Sequence, residues 1–137
     1  MPYATAADLV ARYGVQVAQI AGGDPETAPA VLQGLGDAAV EIDAFLAGRF
    51  TLPLPVVPNL LINLACDIAI YRMQVLTPND LIQDARDRYE DALKRLREIR
   101  EGRLDLGLPS ATPAPGPAPV SVTSARRLFT RDRMRGF

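Results

Sequence analysis

No histidine and no tryptophan occur among the 137 residues, and cysteine occurs once, at Cys66. An intramolecular disulfide is therefore impossible, and one chain cannot assemble a zinc site from several His or Cys ligands. With no histidine to activate a serine or cysteine nucleophile, most familiar catalytic apparatus is excluded as well. Long apolar runs are lacking too. The most apolar window, 60–73, is interrupted by Asn63, Asp67 and Arg72, short of the ~18 apolar residues that a membrane span needs. The opening residues, Met1 to Thr5, hold no positive segment followed by an apolar stretch, so no secretory leader is expected and the chain reads as cytosolic and soluble. What is present suits one small globular body: 48% apolar and 23% charged residues, with a mean hydropathy of +0.05.

The net charge of −1 hides an uneven distribution. Residues 1–108 carry 10 basic and 15 acidic groups, a balance of −5, whereas residues 109–137 carry 5 and 1, a balance of +4. An acidic body is a poor ligand for nucleic acid, because phosphate affinity comes from clustered Lys and Arg that displace counterions. A basic tail on such a body points to a separate partner for the tail.

Helical periodicity dominates the first hundred residues, and the fold class expected is all-α. Thr5-Ala6-Ala7-Asp8 forms a capping box, and a short helix follows that Gly14 stops. Residues 15–20 alternate like a strand but have no second strand to pair with, so a short helix or irregular turn is expected there. Val31, Leu35, Ala38, Ile42 and Phe45 recur at spacings of four and three, giving a helix over 28–47. Gly34 and Gly36 inside it each cost about 1 kcal/mol relative to Ala, so either another backbone comes close or the first turns are irregular. The prolines at 53 and 55 impose an extended connection. The helix over 58–76 is apolar on nearly every side and should be the central buried one, with a single polar stripe at Asn63, Asp67 and Gln74 facing solvent or a neighbouring subunit. Thr77-Pro78-Asn79-Asp80 starts a last helix over 78–101, whose outer face pairs Asp84 with Arg88, Glu90 with Lys94 and Asp91 with Arg95. Gly102 closes it, and 103–108 alternates like a brief extended strand. The expected bundle thus has three long helices and a short N-terminal one, with an extended Pro-rich C-terminal arm.

Beyond Leu108 the composition changes, with prolines at 109, 113, 115, 117 and 119. Three segments result: a helical body over 1–108, a Pro-rich linker over 109–125, and a docking peptide over 126–137. In polyproline geometry the linker could reach on the order of 50 Å. The peptide interleaves Arg126, Arg127, Arg131, Arg133 and Arg135 with the apolar anchors Leu128, Phe129, Met134 and Phe137. That mixture suits a segment that folds on a protein surface; nucleic-acid phosphate is the rival partner for its arginines.

Candidate chemistry is sparse. Gly34-Leu35-Gly36-Asp37-Ala38-Ala39 superficially matches a phosphate-binding G-x-G-x-x-A, but no strand precedes it. Asp84, Asp87, Glu90 and Asp91 could hold a hard cation, although carboxylates one turn from Arg and Lys usually form a solvated face. Cys66 reads as a core residue, and Ser110, Ser121 and Ser124 lie where no rigid base could be held beside them. No catalytic, metal or cofactor site is expected, and enzymatic activity is not. Asp67 is the interior acid that needs a partner such as Arg49 or Arg72, and these three residues are candidates for a subunit interface.

The order of several short motifs carries a resemblance. Tyr3-Ala-Thr-x-x-Asp-Leu, Arg12-Tyr13-Gly14, Asp37-Ala-Ala-x-Glu-Ile-Asp-x-Phe-Leu-Ala-Gly-Arg-Phe50, Leu52-Pro53-Leu54, Ala65-Cys66-Asp67-Ile68-Ala69, Arg88-Tyr89-Glu90 and Gly102-x-Leu-x-Leu-Gly107 follow one another over residues 3–108. Together with the terminal Arg127-Leu-Phe-Thr-Arg-Asp-x-Met-x-Gly-Phe137, the chain resembles the head-tail connector (adaptor, head-completion) proteins of Mu-like prophages. The resemblance implies a non-enzymatic virion protein of a tailed phage, assembled in the host cytoplasm. It implies a ring, dodecameric like the portal, that sits beneath the portal and gives the tail terminator or another neck protein a place to attach. Genomic DNA would pass through its lumen without specific binding, and residues 126–137 would dock on the portal. The alternative is a DNA-binding accessory protein of phage packaging.

Overall fold

The computed structural model describes residues 2–76 and 80–110, which form four helices: α1 (Ala6–Ala21), α2 (Pro29–Leu46), α3 (Asn59–Leu76) and α4 (Ile82–Arg100). No strand occurs among the described residues. The all-α bundle is as the periodicity dictates. Helix α3 sits at its centre and packs against the other three, with Leu61, Leu64, Ile68, Ile70 and Met73 almost wholly withdrawn from solvent. At about 1.5–3 kcal/mol for each fully buried large aliphatic side chain, this seam is the main source of stability.

Gly34 explains how closely α2 lies on α3. A Cβ there would stand 2.8 Å from Met73 Cγ and 3.2 Å from the Ala69 carbonyl oxygen, so the glycine admits the α3 backbone. Gly36, two residues on, would meet nothing within 4 Å.

Three expectations are corrected. The N-terminal helix is not short: α1 runs 16 residues, with its left-handed stop at Gly22 (φ +63°) rather than at Gly14. It bends at Tyr13 (φ −131°, ψ 34°) and continues, because Val17 beyond the bend is fully buried against the core. Residues 15–20 therefore belong to α1. Helix α4 begins at Ile82, later than expected; the capping residues assigned to it, Thr77, Pro78 and Asn79, lie outside the described residues. Residues 103–108 make no strand; they run irregularly along the bundle, with Leu104, Leu106 and Leu108 packed on the core and no strand among the described residues to complete a ladder. Gly102, at φ +81°, ends α4 in the left-handed conformation, its N–H donating to the Ile99 carbonyl.

Candidate functional site

The polar residues that α2 and α3 carry are held by tyrosines from neighbouring elements. Thr5 caps α1 as expected: its hydroxyl accepts from the Asp8 N–H at 3.2 Å, and Asp8 accepts from the Thr5 N–H at 2.9 Å. This fixes the N-terminal segment so that the Tyr3 hydroxyl donates to Asp43 of α2. One helical turn beyond Leu9, the bend in α1 turns the Tyr13 hydroxyl onto Asp67 of α3. On the far side of the bundle, the Tyr89 hydroxyl of α4 donates to Glu41 of α2 at 2.7 Å. Each phenol is kept protonated. Burial and the carboxylates raise the pKa of Tyr3 and Tyr13, and together they push Tyr89 up to about 12.

Arginines complete two of these ties. Arg12 Nε lies 3.2 Å from Asp67, which is only 7% exposed. Arg72 donates to Glu41 at 3.0 Å and stands over the Tyr89 ring, which stacks on Tyr71 at 4.4 Å. Arg88 lies over the Tyr13 ring. Each of these carboxylates is faced by a cation or a hydroxyl; an unpaired charge there would cost several kcal/mol to bury.

The structure therefore places the three candidate interface residues inside the chain's own contacts. Asp67 meets Arg12 and Tyr13, not Arg49 or Arg72. Arg72 meets Glu41. Arg49 donates to the Ile99 carbonyl at 2.5 Å, a second bond on the acceptor that the Gly102 N–H already uses, and a Cβ on Gly102 would press on its guanidinium at 3.3 Å. The supposed solvent stripe of α3 is largely covered by α1: Gln74 is fully buried and donates to Gln16 at 3.3 Å, while Asn63 alone is exposed. On α4 the ion pair is Arg86–Glu90 at 3.2 Å rather than the pairings expected from spacing, and Asp87 accepts from Gln83. Cys66 is buried beneath α1, and burial pushes its thiol up to about 11. Among the described residues no group of three or more acids or thiols could hold a metal. Arg126, Arg127, Leu128, Phe129, Arg131, Arg133, Met134, Arg135 and Phe137 lie outside the described residues.

Sequence reasoning passed over Tyr3, Tyr13, Tyr89, Glu41 and Asp43. A usable signal exists for two of them: Glu41 and Asp43 flank the fully buried Ile42, so neither can point straight to solvent.

Two adjoining apolar concavities share Pro2 and Asp43. One, of about 390 Å³, lies under Tyr3 against Leu52, Pro53, Leu54 and Val57. The other, of about 610 Å³, is an open groove between the start of α1 and the outer side of α2, formed by Ala4, Ala7, Leu32, Leu35, Gly36, Ala39 and Val40. Neither holds a convergent set of nucleophile, base and oxyanion donors.

Fold and site together define a small helical protein whose polar groups serve to lock its own helices. Its residues 3–124 match the model of the family described as Bacteriophage Mu, Gp36, and the chain belongs to that family. It is 38% identical to "Gene product J" of Escherichia phage Mu, an alignment covering 100% of this chain and 99% of that protein. It is 36% identical to the "Mu-like prophage FluMu protein gp36" of Haemophilus influenzae, over 77% of this chain and 76% of the relative. It is thus a Mu-like phage protein. Among its described residues no helix is long and apolar enough to cross a membrane.

Proposed function

We propose that this protein is a non-enzymatic structural component of the phage neck: a head-tail connector that forms a ring on the portal and offers the tail its attachment surface. The observation that carries the reading is the division of charge along a chain of this family. A helical body with a balance of −5 precedes a segment with a balance of +4 that holds four large apolar anchors. An acidic body can line a channel through which DNA slides without being gripped. A cationic peptide with Leu128, Phe129, Met134 and Phe137 can dock on a protein surface that an arginine-only segment would hold weakly. On this reading the body packs beside copies of itself, residues 126–137 engage the portal, and the particle's neck is its location.

The test is portal capture by the full chain and by a chain lacking residues 120–137. The full chain is expected to bind, and the shortened one to keep its helical circular dichroism while losing the portal. Portal binding that survives the deletion overturns the role given to the segment.

A further inference from the structure

The groove between α1 and α2 is apolar and open, and no other described residue fills it. Leu35 and Ala39 form its floor, while Leu32, at 54% exposure, and Val40, at 69%, stand out into solvent. Leu32, Gly36 and Val40 follow at four-residue spacing along one line of α2. That line lies away from Glu41, which receives Tyr89 of α4, and from Phe45, over which Arg100 of α4 is placed. Gly36 sharpens the observation. Unlike Gly34, it makes no room for any described residue, and alanine there would favour the helix by about 1 kcal/mol. A mid-helix glycine beside exposed Leu and Val suits the approach of a second backbone.

Charge identifies what approaches. Residues 1–48 contain one basic group, Arg12, against six acidic ones, and the charged residues lining the groove, Glu26 and Asp43, are both acidic. The end of the molecule's last helix is the reverse: residues 93–103 hold five basic groups against Glu98 and Glu101. Lys94, Arg97 and Arg100 recur every third residue along one exposed edge of α4.

We propose that the α1–α2 groove of one copy receives the basic edge of α4, at Lys94 and Arg97, of a second copy of this chain. The inference rests on the connector reading above and gives its ring a specific contact. Groove and edge lie on opposite flanks of α2, so the contact is head-to-tail: each copy offers its groove to one neighbour and its α4 edge to the other. Repeating such a contact through a fixed rotation closes a ring when the angle allows, whereas a self-complementary patch would stop at a dimer. Opposite charges set the register, and the apolar stripe excludes water around them.

The experiment uses the full chain and two variants altered only at exposed positions, the double change Leu32→Asn with Val40→Asn in the groove, which removes the apolar stripe without adding charge, and the double change Lys94→Glu with Arg97→Glu on α4. Sedimentation velocity is run over a concentration series up to the solubility limit, with circular dichroism as the check on folding. Wild type is expected to associate, less so as salt is raised. Each variant alone is expected to stay monomeric, and an equal mixture of the two to form a complex that stops at the dimer, since the mixture holds one intact groove and one intact edge per pair. A wild type that is monomeric at every concentration, variants that assemble like wild type, or a mixture that stays monomeric each overturns the inference. Portal capture is read separately: association through this contact without portal binding overturns the connector function and leaves the contact standing.

Discussion

Replacing Gly34 and Gly36 by alanine, one at a time, should have unequal effects on stability, although the two residues lie in the same helix and the chemical change is identical. At Gly36 the new methyl group meets nothing within 4 Å, so the full helix-propensity gain of about 1 kcal/mol is available. For a domain of about a hundred residues that raises the midpoint of thermal unfolding by about 4 °C or more. At Gly34 the same methyl would sit 2.8 Å from Met73 Cγ and 3.2 Å from the Ala69 carbonyl oxygen. Met73 must leave its position or α2 must lift from α3, and overpacking of this kind costs ~1–3 kcal/mol. Set against the same propensity gain of ~1 kcal/mol, Gly34→Ala is expected to be neutral to ~2 kcal/mol less stable than wild type. Urea and thermal unfolding of both variants, in dilute solution where association does not contribute, measure the gap, which should lie at ~1–3 kcal/mol. A Gly34→Ala protein as stable as Gly36→Ala would refute the close approach of α2 to α3.

Tyr13→Phe leaves Asp67 with Arg12 as its remaining partner and should cost ~1–3 kcal/mol in urea unfolding; an unchanged midpoint would show that the tie contributes nothing. Gln74→Met should be neutral or stabilising by the same assay, because the buried Gln74 Oε1 has no hydrogen-bond partner among the described residues and Met conserves volume. Burial and Glu41 hold the Tyr89 phenol up to about 12, against ~10 in the unfolded chain. The stability this phenol contributes is therefore complete below pH ~10 and declines as pH rises towards 12, since the unfolded chain releases its proton first; Tyr89→Phe should flatten that alkaline decline in urea midpoints, and a slope equal to wild type would contradict it. Cys66, buried and with its thiol pushed up to about 11, should resist a thiol reagent near neutral pH until the chain is unfolded; rapid labelling of the native protein would place it outside the core.

Helix α2 was largely legible, because its buried face repeats at the helical period, although Leu32 stands out into solvent; its two glycines left a close backbone and irregular first turns both open, and Gly34 proves to be the close approach. The apolar girth of α3 likewise marked it as central. Tertiary contacts were not legible. Periodicity assigns Asp67 to a stripe on α3 but cannot say that α1 will cover that stripe, since the cover depends on α1 bending at Tyr13 and continuing past Gly14. A glycine after four or five apolar residues looks like a stop, yet without a positive φ it is merely a weak helix position, and burial of Val17 outweighs that weakness. The outer face of α4 was misread for a related reason. Spacing allows each acid two or three cationic neighbours, and Arg88 is withdrawn from that competition by the Tyr13 ring.

Arg49 has a consequence for whatever is attached beyond the bundle. Its guanidinium grips the end of α4 through Ile99, and its own carbonyl accepts from the Ser110 hydroxyl at 3.1 Å, with Leu104, Leu106 and Leu108 seated on the core between these points. The base of the C-terminal segment is thus bolted to the α2–α3 connection instead of swinging from Gly102. A load applied further along the chain is delivered to the rim of the bundle at one place, and the bundle can be turned by it like a wrench rather than merely trailed behind it.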